Sequence, residues 1–190
     1  MFQKVDGVEV NFHAVHDGAI GPLHEILNDY SNVIIHKIND NSNEKSLTTC
    51  LELAKSLDFD YVYFVEDDYY HAPDALHTLI EGLTVIKAPL LTLFDHEDRY
   101  VRKDDIDYGR ALIELGNKCY WRTAESTTCT WATNKRVYDQ IADTALKFKL
   151  NDREFFRSLS HRLWSPMTGR STHCHEPFLS PFVDWKDLCQ

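Results

Sequence analysis

From residue 8 to residue 94 the sequence alternates between strand-like and helix-like hydrophobic patterns, and that alternation limits the fold more than any single motif does. Val8 to Val15 reads as a strand ending at His16-Asp17-Gly18. A helix is predicted from about Ile20 to Tyr30, with Pro22 tolerable in its first turn. Asn32 to Ile38 (NVIIHKI) reads as a second strand. From Ser42 to Leu57 the pattern is an amphipathic helix, with Leu47, Cys50, Leu51, Ala54 and Leu57 on one face. Tyr61 to Val65 is a third strand, apolar on both faces, as expected of a central parallel strand covered by helices. Ala72-Pro73-Asp74 opens a helix running to about Val85, and Pro89 to Phe94 is a further strand. Such alternation predicts an α/β sheet with layers on both faces.

After Phe94 the pattern changes. DHEDRYVRKDDIDYGR is charged and irregular, and strand-like runs follow at Arg110 to Leu115, Lys118 to Thr123 and Ser126 to Ala132. Two helices come next. Val137, Ile141, Ala145 and Phe148 share a face of the first; Phe155, Phe156, Leu159 and Leu163 share a face of the second, with Asn151 as its N-cap. The tail, STHCHEPFLSPFVDW, reads as an extended segment packed back over the domain. No repeat, low-complexity tract or Gly/Ser linker divides the 190 residues, so residues 1–190 are expected to form a single domain.

Hydrophobic residues are 43% of the chain and aromatics 12%, enough for a packed core. Thirty acids against 20 Lys and Arg leave a formal charge of -10, which argues against nucleic acid or an anionic membrane surface as partner. An anionic ligand would need a bound cation to offset that charge. No segment is apolar enough to span a bilayer, and MFQKVDGVEV lacks the apolar stretch of a signal peptide. Five cysteines without CxxC spacing suggest free thiols, so a cytoplasmic location is expected.

Against that background, YVYFVEDDYYHAPDA (Tyr61 to Ala75) runs an apolar strand straight into Glu66, Asp67 and Asp68. Ligands of open parallel sheets bind outside the carboxyl ends of strands. Three adjacent carboxylates repel one another unless a cation or several hydrogen bonds satisfy them. The bland alternative is a solvated acidic turn before a helix. A buried β-branched and aromatic run before the triplet and a Pro-initiated helix after it favour the functional reading.

The arrangement resembles the DxD-type metal motif of glycosyltransferases with the GT-A fold. VEDDxxxAPD (Val65 to Asp74) is similar to the matching stretch of the N-acetylglucosaminyltransferase of the N-glycan pathway. A closer resemblance is to small bacterial family-2-like glycosyltransferases, which carry VYFVEDDYxH followed by a helix. DHEDRY (Asp95 to Tyr100) resembles their DHPDKY. YWRTAESTTCTWA (Tyr120 to Ala132) resembles their HWRxxxSTTxTFA, and THCHEPFLSPFVDW (Thr172 to Trp185) their THGExxxLSPxVDW. The resemblance implies a GT-A-like, Rossmann-like mixed sheet, mostly parallel and flanked by helices. GT-A domains open with a strand and loop that bind the nucleotide base. Only two strands precede the acid-tipped one here, so either His16-Asp17-Gly18 holds part of that loop or the first nucleotide-binding strand is absent.

The same resemblance implies a nucleotide-sugar donor, a UDP-sugar in the first instance, a glycan or other hydroxyl acceptor, and Mn²⁺ or Mg²⁺ across the diphosphate. Asp68 is the expected metal ligand, because a hard cation prefers oxygen. Asp67 and Glu66 would serve the ribose, the base or metal-bound waters. His173 matches the His of the THGE-like segment; His175 competes with it, because Cys174-His175 stands where the relatives have Gly and an acid. For an inverting reaction the base candidates are Asp152, then Glu154, at a helix start where acids are also routine caps.

Trp121, Arg122, Thr127, Thr128 and Trp131 would line a sugar or acceptor pocket or else belong to the core. Arg122 meets either a phosphate or a neighbouring acid. Asp95 is a donor-sugar candidate, and His71 caps or packs beside the acid loop. No GxGxxG, GxxxxGK[ST] or GxSxG is present. Two other classes compete: a GT-A-like module binding nucleotide or glycan without turnover, and a metal-dependent phosphohydrolase or nucleotidyltransferase.

Overall fold

The computed structural model describes residues 5–19, 31–95, 111–127, 130–167 and 169–173. The helix expected at 20–30, the charged stretch after Asp95, Thr128 and the tail beyond His173 lie outside them. Strands β1 (Phe12–Asp17) and β2 (Val33–Ile38) pair in parallel, from Phe12 opposite Val33 to Asp17 opposite Ile38. Helix α1 (Asn43–Ser56) follows, its N-cap Ser42 accepting from the Lys45 amide. The acid-tipped strand is β3 (Tyr61–Phe64). Next come β4 (Tyr69–His71), α2 (Ala75–Thr84) and β5 (Leu90–Leu91).

In the second half, β6 (Ile113–Leu115), β7 (Tyr120–Ala124) and β8 (Trp131–Asn134) lead to α3 (Lys135–Phe148) and α4 (Asp152–Ser158). Asn134 and Asn151 cap these helices by accepting from the Val137 and Glu154 amides. Strands β9 (Leu163–Pro166) and β10 (Ser171–His173) complete the order. Leu163, expected on the last helix, instead opens β9, because α4 stops at Ser158.

Six strands form one sheet in the order β3-β8-β5-β9-β7-β6. The expected mostly parallel sheet is not found. Four of its five neighbouring pairs are antiparallel, and only β5 and β9 run side by side in parallel. The physical reason lies in β8 and β7. Strand β8 points against β3 and β5 and sits between them; β7 points against β9 and β6 and sits between them. Strands β3, β5, β9 and β6 therefore share a direction, but most are kept apart by a reversed neighbour. Nor is β3 central: it ends the described strand order, with Tyr61 and Val65 40% and 44% exposed.

Helices do cover both faces. On one, Phe64, Leu90, Ala124, Trp131 and Leu163 of the sheet pack against Leu51 of α1, Tyr138 and Ile141 of α3, and Phe155 and Phe156 of α4. On the other, Leu91, Trp121, Ala132 and Trp164 meet Ala75, Leu76, Leu79 and Leu83 of α2. The alternation of side chains along each strand divides the two cores: Trp131 points one way and Ala132 the other. Among the described residues, no helix is long and apolar enough to cross a membrane.

Lys87 follows α2 with φ at 56° and an exposed side chain. Left-handed backbone is costly for any residue with a Cβ. Replacing Lys87 by Gly is expected to raise stability by about 0.5–1 kcal/mol in a denaturant titration, the smaller end reflecting glycine's freer unfolded chain.

Candidate functional site

Strand β3 delivers the acids. It ends at Phe64, Val65 and Glu66 lead away, and Asp67-Asp68 make the turn into β4. Glu66 and Asp67 are exposed and Asp68 is partly buried. Strand β10 then pairs antiparallel with β4: Ser171 lies opposite His71, Thr172 opposite Tyr70 and His173 opposite Tyr69. That register sets the His173 backbone across from the residue that follows Asp68. Two segments more than 100 residues apart in sequence thus meet where the expected metal ligands are.

The approach to β10 is held firmly. The Leu93 carbonyl accepts from the amides of Arg170 and Ser171, and the Ala72 amide donates to the Arg170 carbonyl. Phe94 bridges to Ser171. Arg170, whose side chain is 10% exposed, pairs with Asp74 at 3.3 Å, so the start of α2 is tied to the same segment. Gly169, at φ 57°, packs so tightly that a Cβ would lie 3.4 Å from the Asp95 amide nitrogen. Asp95, which also accepts from the Ser165 hydroxyl at 3.4 Å, therefore sits beside this segment. Asp95 and the acid loop thus both lie beside the 169–173 segment, through Gly169 and through the β4–β10 pairing. Among the described residues no group of three or more His, Cys, Asp or Glu side chains is arranged as a metal site; His175 lies outside them.

Behind the acid loop is a polar cluster. The Tyr63 hydroxyl and His71 Nε2 are 2.9 Å apart, closing the loop between them. The Thr130 hydroxyl donates to Tyr63 at 2.9 Å, and the Thr127 hydroxyl donates to the Thr130 carbonyl at 2.6 Å. Burial lowers the His71 pKa to about 4, against the pull of a hydrogen bond to the Tyr69 backbone. Burial likewise pushes the Tyr63 phenol up to about 12. His71 was expected to cap or pack beside the acids, and it does pack there. Tyr63 gave no sequence signal, since one tyrosine in an apolar strand reads as core.

Asp17 has a different occupation. One carboxylate oxygen accepts from the Asp40 and Asn41 amides at 2.9 and 3.0 Å, and the other from Ser42 at 2.8 Å. Chiefly through the Ser42 amide, its pKa falls below the ordinary carboxylate value. It closes the turn into α1. Arg122 is 5% exposed and its Nε donates to the Thr123 carbonyl, and Trp121, Thr127 and Trp131 are also buried. Of the residues considered for a sugar or acceptor pocket, these four belong to the interior.

Asp152 begins α4, partly buried, and borders a cavity of ≈ 20 Å³ with Trp131, Lys149 and Phe155. That volume suits one water, not a sugar. Trp131 links this corner to the acid strand: it is paired with Phe64, ring centroids 4.6 Å apart, and with Phe155 at 5.5 Å. Glu154 is exposed and lies 3.8 Å from Arg157, which also pairs with the partly buried Glu125. Cys50 and Cys119 are free thiols, their pKa values raised by burial.

No protein-family profile matches the chain, and a search of curated proteins finds no match.

Two pH effects follow. A histidine whose folded pKa is below its unfolded value destabilises the fold as acid charges it. For His71 the window runs from the ordinary 6.5 down to about 4. Thermal melts should therefore show wild type losing up to about 3 kcal/mol across that window, a loss absent from His71→Gln. Asp17 has its own acid limb: its contribution is present above the ordinary value of 3.8 and is lost as pH falls through the lower folded value. The melting-point gap between wild type and Asp17→Asn should close below about pH 4.

Proposed function

We propose that this protein is a metal-dependent glycosyltransferase that moves a sugar from a nucleotide-sugar, a UDP-sugar in the first instance, to an acceptor hydroxyl with inversion. The observation that carries the reading is the β4–β10 register, which sets the His173 backbone opposite Tyr69, the residue that follows Asp68. A carboxylate and an imidazole suit Mn²⁺, and Mg²⁺ through the carboxylate, with coordination positions left for phosphate oxygens and water. The ion would neutralise charge on the departing diphosphate. Glu66 and Asp67, exposed in the loop, would meet the ribose or metal-bound water.

Asp152 is the preferred base. It is partly buried at the first turn of α4, beside Trp131, whereas Glu154 is exposed and leans towards Arg157. A carboxylate there would take the acceptor's proton as the hydroxyl attacks. Asp95, next to Gly169, is a candidate for holding the donor sugar.

One observation favours a second reading, a nucleotide- or glycan-binding module without turnover. Three backbone amides occupy the Asp17 carboxylate, so the turn at His16-Asp17-Gly18 serves α1 first. Base recognition would then come from elsewhere or be weak.

Melting with UDP or GDP, each with Mn²⁺ or with a chelator, tests the core of the reading. A ligand at about 100 times its Kd adds roughly 2.7 kcal/mol, and the gain is expected only with UDP and Mn²⁺ together. By calorimetry, Asp68→Ala and His173→Ala should each weaken metal-dependent UDP binding; unchanged affinity in both would remove the site. Asp152→Asn should keep donor binding and lose transfer, whereas the binding-module reading expects no transfer even in wild type.

A further inference from the structure

We infer that Tyr63 is a positioning residue for the acid loop, acting through a hydrogen-bond chain that fixes the Tyr69 carbonyl and, with it, the Asp67-Asp68 turn. The inference rests on the metal-site reading above for its functional consequence, while its structural part stands on the contacts of Tyr63 with His71 and Thr130 and on the burial of His71.

The His71 ring has a hydrogen bond to the Tyr69 backbone that favours its charged form, so a ring N–H donates there to the carbonyl. Nε2 is already turned to Tyr63, so the donor is Nδ1. A neutral imidazole has one N–H, which leaves Nε2 as a bare acceptor. The Tyr63 hydroxyl must then donate to Nε2. Its oxygen is left to accept, and the Thr130 hydroxyl donates to it at 2.9 Å. The chain therefore runs from Thr130 to Tyr63 to His71 to the Tyr69 carbonyl, every group in a single allowed role.

Three segments meet in this chain. Tyr63 is on β3 and His71 on β4, either side of the acids. Thr130 immediately precedes β8, the strand paired with β3. Tyr69, whose carbonyl the chain ends on, follows Asp68 and is opposite His173 of β10. A loop bearing neighbouring carboxylates tends to splay, because the charges repel. Closing it across residues 63 and 71 opposes that tendency without using any of the acids. The hydroxyl of Tyr63 is the one group in the chain that touches both the Thr130 side and the His71 side.

The test uses Tyr63→Phe, which keeps the ring and removes only the hydroxyl, with Thr130→Val and Thr130→Ser beside it. Ile141→Val, in the opposite core, serves as a control that lowers stability without touching the chain. UDP binding in the presence of Mn²⁺ is measured by calorimetry, and amide hydrogen exchange across residues 66–70 by mass spectrometry. Tyr63→Phe and Thr130→Val are expected to weaken binding about 10-fold or more, as loss of a group that orients a metal ligand does. They should also speed exchange across 66–70, while Thr130→Ser and Ile141→Val leave both readouts near wild type. Wild-type affinity in Tyr63→Phe would overturn the functional consequence. If wild type itself binds no UDP with Mn²⁺, the metal-site reading fails and exchange decides alone: faster exchange in Tyr63→Phe sustains the positioning role, and unchanged exchange overturns it.

Discussion

The rest of the structure depends on one reversed strand. Strand β8 runs against both of its neighbours and hydrogen-bonds β3 on one side and β5 on the other. Without it, the acid-tipped strand would have no described partner in the large sheet. Its four residues also serve both cores, Trp131 facing α3 and α4 and Ala132 facing α2. Thr133 reaches the Pro89 carbonyl at 2.6 Å, and Asn134 caps α3. Removing the Trp131 side chain would open the contact among Phe64, Tyr138, Phe155 and Phe156, where aromatic rings meet from four elements.

At the strand ends the architecture relies more on backbone than on side chains. Residues 169–173 are stitched to Leu93 on one side and to Ala72 and β4 on the other. Gly169 permits that threading, since it combines a positive φ with close contact to Asp95. A second glycine has a comparable task at the far end of the sheet. A Cβ on Gly116 would lie 2.0 Å from Glu81, whose carboxylate accepts from the Asn117 amide in the β6–β7 turn. The buried Glu81 carboxylate is thus used where a turn amide must be satisfied, while Glu66 and Asp67 of the acid loop are exposed.

Several features were legible from residue order. Asn151 announces a helix start and caps as expected, and Ser42, read as the first residue of its helix, is that helix's N-cap. The helical faces containing Leu51 and Ala54, and Val137, Ile141 and Ala145, are the buried ones. Strand boundaries were less so: the expected Pro89–Phe94 strand is regular only at Leu90–Leu91, with an isolated bridge at Phe94, and β4, β9 and β10 gave no usable period because each has three or four residues. Short strands contain too few residues to display alternation, and their pairing depends on partners far away in the chain.

The sequence by itself determined which segments are helical, where an apolar strand meets three acids, and that two apolar faces had to be covered. Those properties follow from local periodicity and from the chemistry of adjacent side chains. Tertiary structure alone decided strand direction, and with it that β8 separates β3 from β5 and that the His173 backbone lies opposite Tyr69. It also decided that Asp17 is held by the turn into α1, and that Tyr63 is a hydrogen-bonding node rather than plain core. The reason is that an antiparallel and a parallel strand can present the same apolar pattern, while hydrogen bonds between distant segments leave no periodic trace in either one.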